Sequence, residues 1–307
     1  MQVSVGIFAH NEERTLARSI DAFLQQQLNE VKILEIIVVS CGSTDGTVDI
    51  ARRFAEQNAH IRVIDRPERQ GKLAAINDFL AASTGQVVLI AGADLIPSAD
   101  LVERLVLPMA RDGVCAMTGP RILSSGGRAT LAGRLHSLLW QLHHEVALDR
   151  PKLGEIVAVR SSFLPHRLTA PVNCDEVLME AEVIGAGGRL AYVPEAEVRN
   201  FPPHSVGELY GQRRRIACQH RVAARLLAHR PATTRKRGVA RAMGRLLRSR
   251  PGALADLVLL SGVEAVAQVR GRIDAFRGNT YQIWRPVVRD TSAHSSHVVY
   301  SGAEGEK

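Results

Sequence analysis

The chain has 307 residues, of which 46% are hydrophobic but only 4% aromatic. This excludes a disordered chain and points to one or two domains with an aliphatic core. The formal net charge of +8 calls for a phosphate-rich ligand, a polyanionic partner or an acidic membrane surface.

The predicted elements alternate. Val3, Val5 and Ile7 make a first strand, so the start of the chain is expected to be structure rather than signal peptide. Glu12 to Gln27 has helical spacing at Leu16, Ile20, Phe23 and Leu24. Ile33 to Val39 is a second strand. The turn Ser40-Cys41-Gly42-Ser43-Thr44-Asp45-Gly46 follows, then a helix with Val48, Ala51, Phe54 and Ala55 on one face. Ile61 to Ile64 is a third strand and Lys72 to Ala82 a third helix. Gly85 to Pro97 reads GQVVLIAGADLIP, a fourth strand buried on both faces and followed at once by Asp94. Ser98 reads as the N-cap of a helix reaching Arg111, and Val114 to Thr118 as a fifth strand. This rhythm predicts an α/β fold with a doubly wound, mostly parallel sheet.

After Gly119 the rhythm breaks. Leu131 to Leu148 is helical, Glu155 to Val159 a strand, Asp175 to Gly185 a helix, and Leu190 to Val193 a strand that Pro194 ends. Between His204 and Arg250 the chain is dense in arginine, with Glu208 as the single acid. Gly252 to Phe276 is an apolar helical segment. Its charges and short apolar run argue against a span and favour a packed or interfacial, lipid-facing helix. The residues from Thr291 are Ser- and His-rich and expected to be disordered. The expected division is a catalytic domain over 1–203, a basic helical region over 204–290 and a tail over 291–307. Cys41, Cys115, Cys174 and Cys218 form no CxxC pair, which argues against a zinc ribbon or disulfide framework and fits a reducing cytoplasm.

In a parallel sheet the turns Ala9-His10-Asn11-Glu12-Glu13 and Ser40 to Gly46 rise from the same edge as Asp94, where open α/β sheets bind ligands. The second can meet an anion with its backbone N–H groups. Neither GxGxxG nor a P-loop is present. Alone, Asp94 reads first as a turn residue or helix cap, and Asp175-Glu176 reads equally as acids at a helix N-terminus.

Together, VSVGIFAHNEE, EIIVVSCGSTDGT, GKLAAIN, the Asp94 turn, CDEVLMEA, GGRLAYVPEA and QRRRI resemble family-2 glycosyltransferases, in order and spacing, over roughly residues 2–220. These are inverting enzymes of the GT-A fold. The resemblance implies a nucleotide-sugar site at Ala9, Asn11, Glu12, Ser40, Gly42, Lys72, Asn77, Ala93, Asp94, Gln212 and Arg215. It implies a divalent metal, Mg or Mn, on Asp94, the second Asp of the family's DxD. It implies that Asp175 or Glu176 is the catalytic base. His204 is a further candidate metal ligand, although a plain loop histidine is the simpler reading. Three departures stand out: Ser40-Cys41 where the family often has Asp-Asp, Gly92 for the first Asp of DxD, and Ile216 for the Trp of QxxRW.

The function expected is metal-assisted transfer of a sugar from a nucleotide-diphosphate donor to a hydroxyl on a glycan or a lipid-linked acceptor. The expected location is the cytoplasm, peripheral on the inner membrane face. The rival is a nucleic-acid-binding protein using the Arg-rich 213–250 segment, disfavoured by the scarcity of aromatics able to stack bases.

Overall fold

The computed structural model describes residues 1–125, 129–169, 174–227, 229 and 232–281. The expected tail lies outside them. The strands are β1 (Gln2–Ala9), β2 (Lys32–Cys41), β3 (Ile61–Arg66), β4 (Val87–Gly92), β5 (Leu95–Pro97), β6 (Cys115–Ser124), β7 (Ile156–Arg160) and β8 (Arg189–Asn200). They form one sheet in the order β3-β2-β1-β4-β7-β6-β8-β5. The pairs β1–β2, β1–β4, β2–β3 and β6–β8 are parallel, whereas β7 runs antiparallel to both β4 and β6, and β5 antiparallel to β8.

The helices are α1 (Leu16–Leu24), α2 (Thr47–Gln57), α3 (Lys72–Ala82), α4 (Leu101–Arg111), α5 (Leu131–Asp149), α6 (Asp175–Gly185), α7 (Val206–Leu226), α8 (Lys236–Ser249) and α9 (Leu254–Phe276). Successive strand residues point to opposite faces, so each central strand feeds two cores. Val3, Val5, Ile7, Val38 and Leu89 pack with Leu16, Ile20 and Phe23 of α1 and Leu105 and Met109 of α4. Phe8, Ile37, Val39, Val88 and Ile90 pack with Ile76 and Phe79 of α3 and Leu178 and Met179 of α6.

Four expectations about boundaries are corrected. α1 starts at Leu16 because residues 11–14 form a turn, with Asn11 at φ 56°. Asp100, not Ser98, precedes α4 as its N-cap; the Ser98 hydroxyl bonds Asp100 Oδ1 at 3.1 Å instead. β6 continues past Gly119 to Ser124, and Pro194 lies inside β8. A register shift accommodates that proline: Pro120 pairs with Val193 and Arg121 with Glu197, so residues 194–196 bulge out of the ladder.

The C-terminal helices dock on α5. Leu135 and Leu138 of α5, Leu209 of α7, Leu246 of α8 and Leu257 and Leu260 of α9 share one apolar cluster. Arginines of the basic run seal these contacts: Arg213 bonds Glu264 at 2.7 Å, Arg214 bonds Asp274 at 2.6 Å, and Arg245 bonds Glu145 at 2.7 Å. By length and composition alone, Pro251–Phe276 would suffice to cross a membrane, against the shorter apolar run read from the sequence. Its packing is one-sided, however, and its acids face the protein.

Candidate active site

β1, β2 and β4 end side by side, with Ala9 opposite Ser40 and Phe8 opposite Gly92. The turns leaving β1 and β2 are laced together. Asn11 Oδ1 accepts from Thr44 N at 2.8 Å, Glu12 N donates to Thr47 Oγ1 at 2.8 Å, and Glu13 Oε2 accepts from Gly46 N at 3.0 Å. His10 Nδ1 lies 2.8 Å from the Cys41 carbonyl oxygen, and burial lowers its pKa. Ala93 N donates to the Phe8 carbonyl at 3.0 Å, which sets Asp94 just past the strand end.

These ends open into a cavity of about 930 Å³. Ala9, Glu12 and Asp94 line one part of it. Lys72, the first residue of α3, lines it together with Asp175 and Glu176 from the first turn of α6, and Gln212 and Arg215 from α7. Acids in a first turn are favoured by the helix dipole.

Lys72 Nζ is 2.6 Å from Asp175 Oδ2 and 3.7 Å from Glu176 Oε1. Burial alone would depress the Lys72 ammonium, but the two carboxylates outweigh it and raise its pKa. Burial, then repulsion from Glu176, raises Asp175. Glu176 moves the other way: Lys72 and Lys152 outweigh its burial and lower it. The side chain of Asp175 is 5% exposed and that of Glu176 27%, so the carboxylate kept ionised is also the more accessible one.

The other candidates do not line the cavity. Asn11 and Ser40 serve the turns; Ser40 is fully buried, its hydroxyl 2.9 Å from that of Ser43. Gly42, at φ 67°, admits Arg69, whose backbone N would lie 2.9 Å from a Cβ there; Arg69 does line the cavity. Asn77 holds the Leu168 backbone through both ends of its amide, at 2.8 and 2.9 Å. Ala93 is buried against the strand ends. His204 is exposed, its N–H donating to Glu208. Sequence reasoning gave no role to Arg69, His143, Lys152 or His220, which also line the cavity. His143 and His220 are both pushed down to about 3, first by burial and then by Lys152.

Among the described residues, no group of three or more His, Cys, Asp or Glu side chains could hold a metal ion. The donor set suits a shared cation instead. A Cβ at position 92 would come 2.7 Å from Asp94 Oδ1, so the glycine leaves space beside that oxygen. A hard divalent ion bound by one carboxylate commonly takes its remaining ligands from substrate phosphates and water.

Comparison with known proteins bears on the family and the fold. The chain is 32% identical over 117 residues to the glycosyltransferase AglE of Haloferax volcanii, covering 38% of each chain. It is 30% identical over 160 residues to the dolichyl-phosphate beta-glucosyltransferase of Drosophila melanogaster, covering 46% of this chain and 49% of that one. It thus spans less than half of these relatives. Among solved structures, the mannosyltransferase PcManGT of Pyrobaculum calidifontis, in complex with GDP-Man and Mn2+, shares the fold with a TM-score of 0.65 at 19% identity. The match covers 89% of this chain and 86% of that one. Residues 4–163, more than half of the chain, match the family described as glycosyl transferase family 2, and this chain belongs to that family.

Proposed function

We propose that the chain catalyses inverting transfer of a sugar from a nucleotide-diphosphate donor to a hydroxyl acceptor, either a glycan or a lipid-linked one. One observation carries this reading: Asp94, Glu176, Lys72, Gln212 and Arg215, remote in sequence, meet in one cavity at the C-terminal sheet edge. Ala9 and Glu12 border the nucleotide, and Arg215 and Gln212 contact the diphosphate. Asp94 would hold a divalent cation, Mg2+ or Mn2+, shared with the diphosphate; when bound, it neutralises charge on the leaving group.

Glu176 takes the acceptor proton. The acceptor oxygen bonds the anomeric carbon, and the old carbon–oxygen bond leaves with its electron pair on the diphosphate. A single displacement inverts that centre. Lys72 keeps Glu176 ionised, and Asp175 positions Lys72. Glu176→Gln should cut kcat by roughly 10²–10⁴-fold while donor affinity stays nearly unchanged. Single-turnover assays with donor binding measured in parallel check this. Near-full activity in both Glu176→Gln and Asp175→Asn would remove the acid pair from catalysis.

In this reading α7, α8 and α9, joined by α5, form the acceptor side, and the outer face of α9 rests on an anionic membrane surface. No observation favours the nucleic-acid reading, since the arginines Arg213, Arg214 and Arg245 face acids of the protein itself.

A further inference from the structure

The cavity that holds the carboxylates is also walled by three C-terminal-side helices. Leu139 and Leu142 of α5, Val239 and Met243 of α8, and Leu257 and Leu260 of α9 line it. Each pair is spaced three or four residues apart, so each helix turns an apolar pair to the same space, beside His143 of α5, Lys236 of α8 and the Arg213-paired Glu264 of α9. Ser261, Ala265 and Gln268 of α9 line it too and are exposed at the surface, so this branch opens along α9. It opens at the edge of an outward apolar stripe that includes Leu254, Val258 and Val269. A donor diphosphate and a polar sugar have no use for such walls, and water covers them poorly.

We propose that this branch takes the apolar chain of a lipid acceptor, with the nucleophilic oxygen at the Glu176 end of the same cavity. The proposal rests on the transfer reaction above and narrows its acceptor to an amphiphile with one long apolar chain. Continuity selects this occupant: one cavity runs from the carboxylates to the rim of the outer apolar stripe, so the head reaches the donor while the tail stays out of water. The acceptor proton goes to Glu176, as before.

Trp140 lines the cavity and reports on it directly. The chain's two tryptophans are Trp140 and Trp284, so a full-length Trp284→Phe protein leaves one fluorophore. Titrated with bromododecanol, it should show quenching of Trp140. Affinity across the alcohol series from bromobutanol upward should rise about fourfold per methylene. Ala265→Arg at the mouth should weaken quenching by roughly tenfold or more, and Met243→Phe, which fills the branch, should do likewise. Ala255→Arg, exposed on the same helix but away from the cavity, should leave it unchanged.

The same samples are titrated with nucleoside diphosphates and Mn2+. Nucleotide binding without quenching, or quenching that ignores both Ala265→Arg and Met243→Phe, overturns the lipid-acceptor assignment alone. Quenching without any nucleotide binding overturns the transferase reading, and the acceptor assignment with it.

Discussion

At the scale of single residues, the site is held by unequal sharing of one ammonium between two neighbouring acids. Asp175 is the nearer and more buried partner of Lys72, and Glu176 the more exposed one, kept ionised by Lys72 and Lys152. Asp94 lines the same cavity, and its proposed role is metal binding. Asp94→Asn keeps the shape but weakens the ligand, so nucleoside-diphosphate affinity should lose its Mn2+ dependence. Calorimetric titration with and without Mn2+ checks this; an unchanged metal response would leave Asp94 a turn residue. His143 and His220 make a second, independent test. Both are neutral in the fold, with pKa values near 3, whereas an unfolded histidine titrates near about 6.5. Below that pH the unfolded chain binds two protons that the native state refuses. Stability should therefore fall as pH drops from about 6.5 toward 3, by up to about 1.4 kcal/mol per pH unit for each histidine. In His143→Gln/His220→Gln the slope of Tm against pH over this window should flatten. An unchanged slope would mean that other groups govern acid unfolding.

At the scale of elements, the join of α7 to α9 turns on a close approach. A Cβ at Gly271 would lie 2.8 Å from Ala217 Cβ, the Arg214 carbonyl oxygen and Cys218 N. The two helices touch there, and the Arg213–Glu264 and Arg214–Asp274 pairs lie on either side along α9. Gly271→Val should force them apart and cost about 1–3 kcal/mol, read as a lower urea midpoint with unchanged m-value. A neutral result would mean that the helices separate freely. The strands β1 to β4 were legible because each is an apolar run bounded by turn residues. The start of α1 was not, because Glu12 follows the helical pattern while the turn at Asn11 is fixed by Thr44, thirty-three residues on. The run of β8 through Pro194 was hidden for a similar reason: only the partner strand shows that the proline sits in a bulge. Asp94, Asp175 and Glu176 all line the cavity, but the sequence singles them out only in the company of the other motifs, since a lone acid after a strand or at a helix start looks the same. Lys152, His143 and His220 carried no local signal, because α5, α7 and the segment before β7 meet only through tertiary packing.

At the scale of the whole molecule, α9 is amphipathic with its faces reversed. Glu264 and Asp274 point inward to arginines of α7, and Asp256 to Arg134 of α5. Leu254, Val258, Leu259, Val266, Val269, Ile273 and Phe276 point outward; Val258 is 63% exposed and Phe276 85%. At about 100° per residue these side chains fill one continuous arc of about 140°, flanked by the exposed Arg270, Arg272 and Arg277. An apolar stripe rimmed by cations fits the surface of an anionic bilayer. Each arginine near that surface contributes about 1 kcal/mol, screened within a Debye length, whereas apolar burial is not screened by salt. The protein should therefore co-sediment with phosphatidylserine-containing vesicles, more weakly at high salt but not to zero, and poorly with neutral vesicles at any salt. Val258→Asp/Val269→Asp removes the apolar part at two exposed positions and should abolish the salt-resistant fraction with little change in Tm. Arg270→Gln/Arg272→Gln/Arg277→Gln should remove the salt-sensitive fraction and spare the rest. The competing occupant is a second copy of the chain on the same face. A concentration-dependent dimer in sedimentation, lost in Val258→Asp/Val269→Asp and accompanied by no vesicle binding at low salt, would assign the stripe to self-association instead.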